Sequence, residues 1–316
     1  MNYQIIECVP NFSEGRDEEI ISAIASAIQA NNDIQLLEID PNKDANRTVI
    51  TFAGSPEAVI EAAFAGIAKA SELIDMSKQK GAHPRIGAAD VCPLVPLRGI
   101  TMEETVKYAR YLAERVGREL NIPVYCYEYA ALRPERKNLA FIRKGEYEGL
   151  AKKMQNPDFQ PDFGSPVFNA KSGATVIGAR DILIAYNFNL NTQSVSIAKK
   201  IAAEVRDSGN GIYRLDHLKA IGWYMEHYGI AQVSTNLTNF RHTSLHLVFQ
   251  TMSKVAQKYG TKVIGSELVG LIPLHALTDN GKMEINQAID YLGLSVLRPF
   301  HPEKKIIELL LGIEEI

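Results

Sequence analysis

The chain has 316 residues, of which 46% are hydrophobic and 22% charged, and its formal net charge is -3. These proportions are ordinary for a globular protein with a sizeable core, and the length favours two domains over one. A slightly acidic chain is a poor match for nucleic acid or for an anionic membrane surface. The composition therefore favours small molecules or other protein chains as partners.

The cysteines and the N-terminal residues predict a cytoplasmic chain. Cys8, Cys92 and Cys126 lack the paired spacings of zinc sites and form no disulfide framework. The chain does not begin with a basic region followed by a long apolar stretch, and no apolar run approaches the length of a membrane span. We therefore expect neither secretion nor membrane insertion.

Apolar periodicity predicts alternating strands and helices in the first half of the chain. Ser55 followed by Pro56 predicts a helix start, because proline is favoured in the first helical turn. The charged, Pro-containing segment 133–162 is expected to form a peripheral helix and a connector. The other predicted elements are a strand over 3–9, a helix over 17–30, strands over 34–39 and 46–52, a helix over 55–74, a strand over 91–97, a helix over 102–120 and a strand over 124–129.

The same pattern begins again in the second half of the chain. The predicted elements are a long strand over 174–190, a helix over 195–205, strands over 220–223 and 231–236, a helix over 244–259, a strand over 263–268 and an outer helical segment over 274–294. Segments 5–12 and 182–189 both run from an apolar strand into a polar end that contains Asn-Phe. The helix over 102–120 and the strand after it match the helix over 244–259 and the strand after that.

This repeat predicts an α/β (α+β) fold of two similar ferredoxin-like β-α-β-β-α-β subdomains with mostly antiparallel sheets. The expected boundaries are 1–180 and 181–316. The first subdomain would carry an added helix and a hairpin around His83. The cleft between the two subdomains is the expected place for a ligand.

The stretch 81–96 has the residue types of a functional loop. It places one histidine, one arginine, one aspartate, two glycines and three prolines within sixteen residues. His83 precedes Pro84, which favours an extended backbone, and Gly81 and Gly87 allow tight turns beside it. An imidazole held on such a stiff loop is a candidate general base.

Metal binding fits the residues less well. His242 and His246 lie four residues apart on a predicted helix, a spacing that can place two imidazoles on one face. No further histidine or acidic ligand stands nearby, so we expect surface or supporting histidines and no metal site.

A phosphate loop and a cysteine nucleophile also fit poorly. Gly173 and Gly178 have the separation of a phosphate loop, but Ala179 and Arg180 stand where Lys and then Ser or Thr are needed. Cys92 falls inside an apolar run, where a thiol usually behaves as a small hydrophobic residue.

Polar side chains follow three successive predicted strands, and such convergence at one sheet edge indicates a ligand site. The three clusters are Asn11, Ser13, Glu14 and Arg16; Asp40, Asn46, Arg47 and Thr48; and His83, Arg85 and Asp90.

The motifs in these clusters resemble those of the glutamate formiminotransferases, the folate-dependent enzymes of histidine breakdown. The matching stretches span almost the whole chain. They are Glu-Cys-Val-Pro-Asn-Phe-Ser-Glu-Gly at 7–15, Asn-Arg-Thr-Val at 46–49, His-Pro-Arg-Ile-Gly at 83–87, Asp-Val-Cys-Pro at 90–93, Ile-Arg-Lys-Gly-Glu-Tyr-Glu at 142–148, Ser-Gly-Ala-Thr-Val-Ile-Gly-Ala-Arg at 172–180, Gln-Val-Ser-Thr-Asn-Leu at 232–237 and Gly-Ser-Glu-Leu-Val-Gly-Leu-Ile-Pro-Leu at 265–274.

The resemblance implies two α/β subdomains with a folate site between them, tetrahydrofolate as co-substrate and a homodimer. It assigns the catalytic histidine to His83. Two positions depart from the family pattern: Ala82 stands where Glu often precedes the histidine, and Ser172 stands where the animal enzymes have Trp. The resemblance places folate contacts on the loop residues Gly164, Ser165, Pro166, Val167, Phe168, Asn169, Ala170, Lys171, Ser172 and Gly173.

The implied reaction transfers a formimino group from N-formimino-L-glutamate to N5 of tetrahydrofolate, and it needs one base and one acid. A histidine that titrates near neutral pH can serve as both in turn. We expect Asp40 to orient His83 or to stabilise the cationic formimino group. Arg47 or Arg85 would pair with substrate carboxylates. Asn11 and either Thr235 or Asn236 would bind substrate from two facing strand ends.

Two other functions stay open at this point. One is an enzyme that uses 5-formyltetrahydrofolate, either in an ATP-dependent cyclisation or in formyl transfer to glutamate. The other is a non-catalytic folate-binding module, because duplicated α/β units also serve as sensors.

Overall fold

The computed structural model describes residues 4–81, 83–226 and 228–316. Ala82, one of the two departures from the family pattern, and His227 lie outside the described residues. Contacts divide the chain into two units, the first ending at Asp181 and the second beginning at Ile182.

The first unit is built on one mixed sheet. Its helices begin at residues that cap them: Asp17 accepts hydrogen bonds from the first turn of α1, Ser55 does so for α2, and Thr101 forms a capping box with Glu104 at α3. The strands are β1 (Ile5–Cys8), β2 (Asn11–Phe12), β3 (Ile34–Asn42), β4 (Arg47–Gly54), β5 (Ala89–Arg98), β6 (Val124–Glu128) and β7 (Thr175–Ala179), and the helices are α1 (Glu18–Gln29), α2 (Pro56–Leu73), α3 (Met102–Glu119), α4 (Leu139–Arg143) and α5 (Glu146–Lys153).

The two faces of this sheet pack differently. The strand order is β3-β4-β1-β5-β7-β6, with β2 also lying between β4 and β5, and only the β5–β7 and β6–β7 pairs are parallel. Residues of α1, α2 and α3 pack on one face, where they bury side chains such as Cys8 and Phe12. Residues of α4 and α5 pack on the other face, against Val91, Tyr127 and Val176. We call this second face the α4 face.

The second unit is built on one antiparallel sheet with fewer strands than the first. Its four strands pair in the order β11-β8-β10-β9, and every pair is antiparallel. Its elements are β8 (Ile184–Leu190), α6 (Val195–Val205), β9 (Leu218–Met225), β10 (Ile230–Leu237), α7 (Leu245–Lys258), β11 (Val263–Val269), α8 (Leu274–Leu277), α9 (Ile285–Leu292) and α10 (Ile307–Leu311).

The topology confirms the predicted fold class of two β-α-β-β-α-β units. In the first unit, β5, β1, β4 and β3 are adjacent in the same order as β11, β8, β10 and β9 in the second. One detail of the predicted repeat is wrong. The counterparts of α7 and β11 are α2 and β5, whereas α3, β6 and β7 are the additions to the first unit.

Two segments that were each predicted as one element form two elements in the structure. The expected strand over 174–190 is two strands, β7 and β8, because the chain leaves the first sheet after Ala179 and enters the second at Ile184. The outer segment over 274–294 forms the two short helices α8 and α9. None of the helices in the part of the chain that the structure describes is both long and apolar enough to cross a bilayer.

Candidate active site

His83 lies in the loop between α2 and β5, and its ring is held from two sides. We call residues 81–88 the His83 loop. The ring Nδ1 lies 2.8 Å from the Pro84 carbonyl oxygen, and Nη1 of Arg47, at the start of β4, contacts Nε2 and lies 2.7 Å from Nδ1. We assign the proton to Nδ1, because the Pro84 carbonyl oxygen can only accept, and Nε2 is then the acceptor for Arg47.

Burial and two guanidinium groups make this imidazole a weak base. Burial lowers the pKa of His83 to about 3, and the positive charges of Arg47 and Arg143 add to the effect. His83 is therefore neutral at pH 7. Burial and the charge of Arg143 also lower the pKa of Arg47, to about 10, against the opposing influence of Asp90 and Asp40.

Asp90 connects the His83 loop to α4. Its side chain is buried, and its Oδ1 accepts a hydrogen bond of 2.8 Å from the backbone N–H of Ile86. Its Oδ2 accepts one from Nη2 of Arg143. Asp90 thus shapes the loop and also holds one of the two guanidinium groups beside the imidazole. Arg143 was not expected in the site, because segment 133–162 was interpreted as peripheral.

Arg85 has a different role from the predicted one. It is buried, its Nε donates to Oε1 of Gln79 at 2.8 Å, and its two terminal nitrogens form a bidentate pair with Glu148 at 2.8 and 2.7 Å. The same nitrogens also donate to Glu146 and to the Gln79 carbonyl oxygen. These contacts use all five N–H donors of a guanidinium. We therefore revise its expected role from binding a substrate carboxylate to bracing the His83 loop.

Asp40 and Asn11 lie in one row across the sheet. Asp40 pairs with Val49, Val49 with Asn11, and Asn11 with Val91. Directly paired residues share a face, so both side chains project from the α4 face. Asn11 Nδ2 donates to the Val9 carbonyl oxygen, whereas its buried Oδ1 has no partner among the described residues.

Asp40 forms no hydrogen bond with His83 among the described residues. The described hydrogen bonds of the imidazole go to Arg47 and Pro84, and Asp40 acts on the site through its charge near Arg47. No described hydrogen bond supports the first of its two expected roles, direct orientation of His83, and that role stays a prediction. Its other expected role, stabilising a cationic group, stays a prediction.

The loop 164–173 joins the His83 loop at its C-terminal end. Gly87 and Gly173 form an antiparallel bridge, the N–H of Ala88 donates to the Ser172 carbonyl oxygen, and the N–H of Ala174 donates to that of Ile86. A Cβ atom on Gly173 would lie 2.1 Å from the Ile86 oxygen, and one on Gly87 would lie 2.0 Å from the Ala174 oxygen. This close approach, which we call the glycine junction, excludes side chains at both positions.

The other residues of that loop differ in exposure. Ser172 is buried, and its Oγ has no hydrogen-bond partner among the described residues, whereas Val167 is 69% exposed. Phe168 packs against Tyr147 with ring centroids 5.5 Å apart. The buried hydroxyl and the exposed apolar side chain are compatible with ligand contact, and the folate role of this loop stays a prediction.

Thr235 and Asn236 lie on opposite faces of the second sheet. Thr235 is buried, and its hydroxyl donates to the Tyr186 carbonyl oxygen at 2.6 Å, so it could offer a substrate only its acceptor lone pairs. Asn236 is partly exposed and pairs with Ala185 and Lys219. Asn236 is therefore the better candidate of the two for ligand contact.

The two histidines considered as metal ligands do not share a helix face. His242 lies in the turn before α7 and packs edge-on against His217, whereas His246 lies in the first turn of α7 and stacks on Tyr291. Within residues 4–81, 83–226 and 228–316, no group of three histidine, cysteine or acidic side chains is arranged to hold a metal ion.

Sequence reasoning also missed Glu7, a buried carboxyl group on β1. A charged residue between Ile6 and Cys8 in an otherwise apolar strand could have indicated it, because buried charges are uncommon without a partner.

Each unit matches a model of a known protein family, and the whole chain is similar to known proteins. The model of the N-terminal subdomain of the formiminotransferase domain matches residues 5–180, and the model of the formiminotransferase domain matches residues 185–312. The chain is 46% identical to a formimidoyltransferase-cyclodeaminase of Mus musculus, in an alignment that covers 97% of this chain and 60% of the mouse protein. It thus spans about three fifths of the length of that relative.

Two shorter relatives align over most of their length. A glutamate formimidoyltransferase of Streptococcus pyogenes serotype M1 is 45% identical, with 87% of this chain and 91% of that protein covered. One of Thermoplasma acidophilum is also 45% identical, with 88% and 91% covered. Since the two family models together match nearly the whole chain, the protein belongs to the formiminotransferase domain family.

Proposed function

We propose that the chain transfers the formimino group of N-formimino-L-glutamate to N5 of tetrahydrofolate, giving 5-formiminotetrahydrofolate and glutamate, as a step in histidine degradation. The neutral imidazole of His83, which contacts the guanidinium of Arg47 and lies within reach of the charge of Arg143, is the observation that carries this proposal. The names of the bacterial and archaeal relatives support the same reaction. The predicted cytoplasmic localisation and homodimer stay predictions.

The guanidinium groups suit the donor substrate. The glutamate part of formiminoglutamate carries two carboxylates, and a guanidinium pairs with a carboxylate through two parallel hydrogen bonds. A carboxylate that pairs with Arg47 would draw Nη1 away from Nε2 of His83. The free lone pair and the neutralised positive charge would together raise the pKa of His83 and make it an effective base.

His83 then moves the proton in both halves of the reaction. The N5 nitrogen attacks the formimino carbon, a new C–N bond forms, and Nε2 accepts the proton that N5 loses. The tetrahedral intermediate breaks its bond to the glutamate nitrogen, and the imidazolium returns the proton to that nitrogen as glutamate leaves. Asp40, whose charge also acts on Arg47, would stabilise the cationic formimino group.

Steady-state transfer from formiminoglutamate to tetrahydrofolate, with and without ATP, tests the proposal. We expect turnover in the wild-type chain without ATP, and a loss of roughly 10²- to 10⁴-fold in His83→Ala. His301→Ala, which removes an exposed histidine, is the control and should keep full activity. A transfer rate in His83→Ala equal to that of the control would contradict the assigned mechanism. Turnover of 5-formyltetrahydrofolate that requires ATP would favour the alternative enzyme.

A further inference from the structure

Glu7 places a carboxyl group on the α4 face, where the mechanism so far does not use it. Its neighbours Ile6 and Cys8 belong to the core beneath α1, α2 and α3. Because successive side chains of a strand point to opposite faces, Glu7 projects from the same face as Asn11, four residues further along the chain. The side chain is only 5% exposed.

No described residue donates a hydrogen bond to this carboxyl group, although Arg180 and Glu38 carry charges near it. Burial raises the pKa of Glu7 to about 7; the charge of Arg180 opposes this effect and that of Glu38 adds to it. At neutral pH the group is therefore divided between its protonated and ionised forms. Buried polar groups in folded proteins almost always have partners, and the exceptions concentrate at functional sites.

We propose that Glu7 binds the 2-amino-4-oxopyrimidine edge of the tetrahydropterin ring and so orients the folate for reaction. This inference rests on the proposed function. The edge presents two parallel N–H donors, on N3 and on the 2-amino group. The two oxygens of a carboxylate accept such a pair with the geometry of a bidentate contact. Ligand binding would thus supply the donors that the protein does not.

The location of Glu7 favours the folate over the glutamate donor. The carboxylates of formiminoglutamate would be repelled by Glu7 and Glu38, and its formimino group must lie at His83 to react. Along the strand, Glu7 precedes Asn11 by four residues, about 13 Å at 3.3 Å per residue. The N–H groups of the pyrimidine edge point away from N5, which belongs to the other ring of the bicycle and is separated from N3 by C4 and C4a. Contact with Glu7 therefore leaves N5 free to face the reacting carbon.

Separate binding of the two halves of folate tests this assignment. The probes are 6-methyltetrahydropterin and p-aminobenzoyl-L-glutamate, titrated anaerobically into the full chain at pH 7. In Glu7→Gln, which keeps the shape but replaces one acceptor oxygen by an NH₂ donor, pterin binding should weaken roughly 10- to 100-fold, as expected when a hydrogen bond to a charged group is lost. Binding of p-aminobenzoyl-L-glutamate should not change.

Glu38→Gln is the matched control. It removes a carboxyl group that raises the pKa of Glu7, so more Glu7 would be ionised at pH 7 and the pterin should bind as tightly as to the wild type or more tightly. Pterin binding should also release a proton from Glu7. Calorimetry in two buffers of different ionisation enthalpy should detect that release in the wild type and not in Glu7→Gln.

A merely structural role predicts other results. If Glu7→Gln weakened both probes alike, or neither, the assignment would be overturned. Unfolding midpoints of the variants are measured first. If Glu7→Gln does not fold, Glu7→Asp takes its place. That variant shortens the side chain by one methylene and should weaken binding of the pterin probe only. A wild type that binds the pterin through Glu7 but transfers no formimino group contradicts only the proposed function. A wild type that transfers the group while Glu7→Gln binds the pterin normally contradicts only this inference.

Discussion

Arg47 donates a hydrogen bond to Nε2 of His83 while Nδ1 of the same ring donates to the Pro84 carbonyl oxygen. Both ring nitrogens are thus engaged, and the nitrogen needed for proton transfer is covered by a guanidinium group. His83 can act as a base only after Arg47 has moved or found another partner. This relationship makes the basicity of the site depend on an anionic ligand.

The titration of His83 should respond to glutamate, the dicarboxylate product. We expect NMR of labelled histidines to give a pKa well below 6.5 for the free chain, because burial and the charges of Arg47 and Arg143 disfavour the imidazolium. Saturating glutamate should raise that pKa. Arg47→Gln should raise it without glutamate. The His83→Asn spectrum assigns the resonance, and a pKa that glutamate leaves unchanged would contradict the role of Arg47.

Arg47→Lys should mainly affect binding of the donor substrate. Lysine keeps the positive charge but cannot form two parallel hydrogen bonds with a carboxylate. We expect KM for formiminoglutamate to rise roughly 10- to 100-fold, as for the loss of a charge-assisted hydrogen bond, and KM for tetrahydrofolate to stay within a factor of two or so. Arg118→Lys, at an arginine that is 62% exposed on α3, provides the control. Equal changes in both KM values would indicate a general distortion.

Asp90→Asn should destabilise the first unit. The substitution leaves the half-buried guanidinium of Arg143 without its carboxylate, and removing one partner of a buried ion pair costs about 3–5 kcal/mol of unfolding free energy. Glu72→Gln breaks the exposed pair with Lys69 on α2 and should cost much less, because solvent screens an ion pair at the surface. Chemical denaturation of both variants measures the difference. Similar values for the two would show that the Asp90–Arg143 pair contributes little to stability.

His246 should make the second unit less stable in acid. Burial lowers its pKa, and neither ring nitrogen has a hydrogen-bond partner among the described residues. Below pH 6.5 the unfolded chain binds a proton that the folded chain still excludes, so the free energy of unfolding falls with falling pH, by at most about 1.4 kcal/mol per pH unit for this group. His246→Phe keeps a ring on Tyr291 and should show a shallower decline between pH 7 and pH 5.

The control for that measurement is His301→Phe. His301 is exposed, so its substitution should leave the pH dependence of unfolding as it is in the wild type. A wild-type decline that His246→Phe does not reduce would assign the acid sensitivity to other groups, of which half-buried His83 is the first to consider.

The three thiols should be unreactive in the folded chain. Cys8, Cys92 and Cys126 are all buried, and burial raises the pKa of Cys8 and of Cys126, the latter to about 12. The thiolate is the reactive form. We expect a thiol reagent to modify fewer than one group per folded chain within minutes and all three after denaturation. Rapid modification of Cys92 in the folded chain would reopen its role as a nucleophile.

Local sequence signals predicted helix starts well, and they predicted sheet order less well. Ser55 with Pro56 acts within a few residues of the helix that it begins, and the structure begins α2 at Pro56, as the sequence predicts. The repeat was misaligned by one helix and one strand, because the parallel pairing of β7 with β5 and β6 joins segments far apart in the chain. No local periodicity encodes such pairing.

The site was predicted in part for the same reason. His83 and Arg47 are close because residues 36 positions apart converge at one sheet edge, as the polar clusters suggested. Arg143 reaches them from α4, whose five residues are too few to show an apolar period. The hydrogen bonds from Arg85 to Glu148 and from Thr235 to Tyr186 form only when the folded chain brings these partners together. The local sequence could therefore not predict them.

The glycine junction has a mechanical consequence. Backbone atoms of the His83 loop and of loop 164–173 touch there with no side chain between them, and two hydrogen bonds cross the contact. No side chain between the loops could change its rotamer to accommodate a displacement of either backbone, so the two backbones must move together. A molecule that displaced loop 164–173 would therefore also displace the His83 imidazole, and the displacement would be transmitted by main-chain contacts.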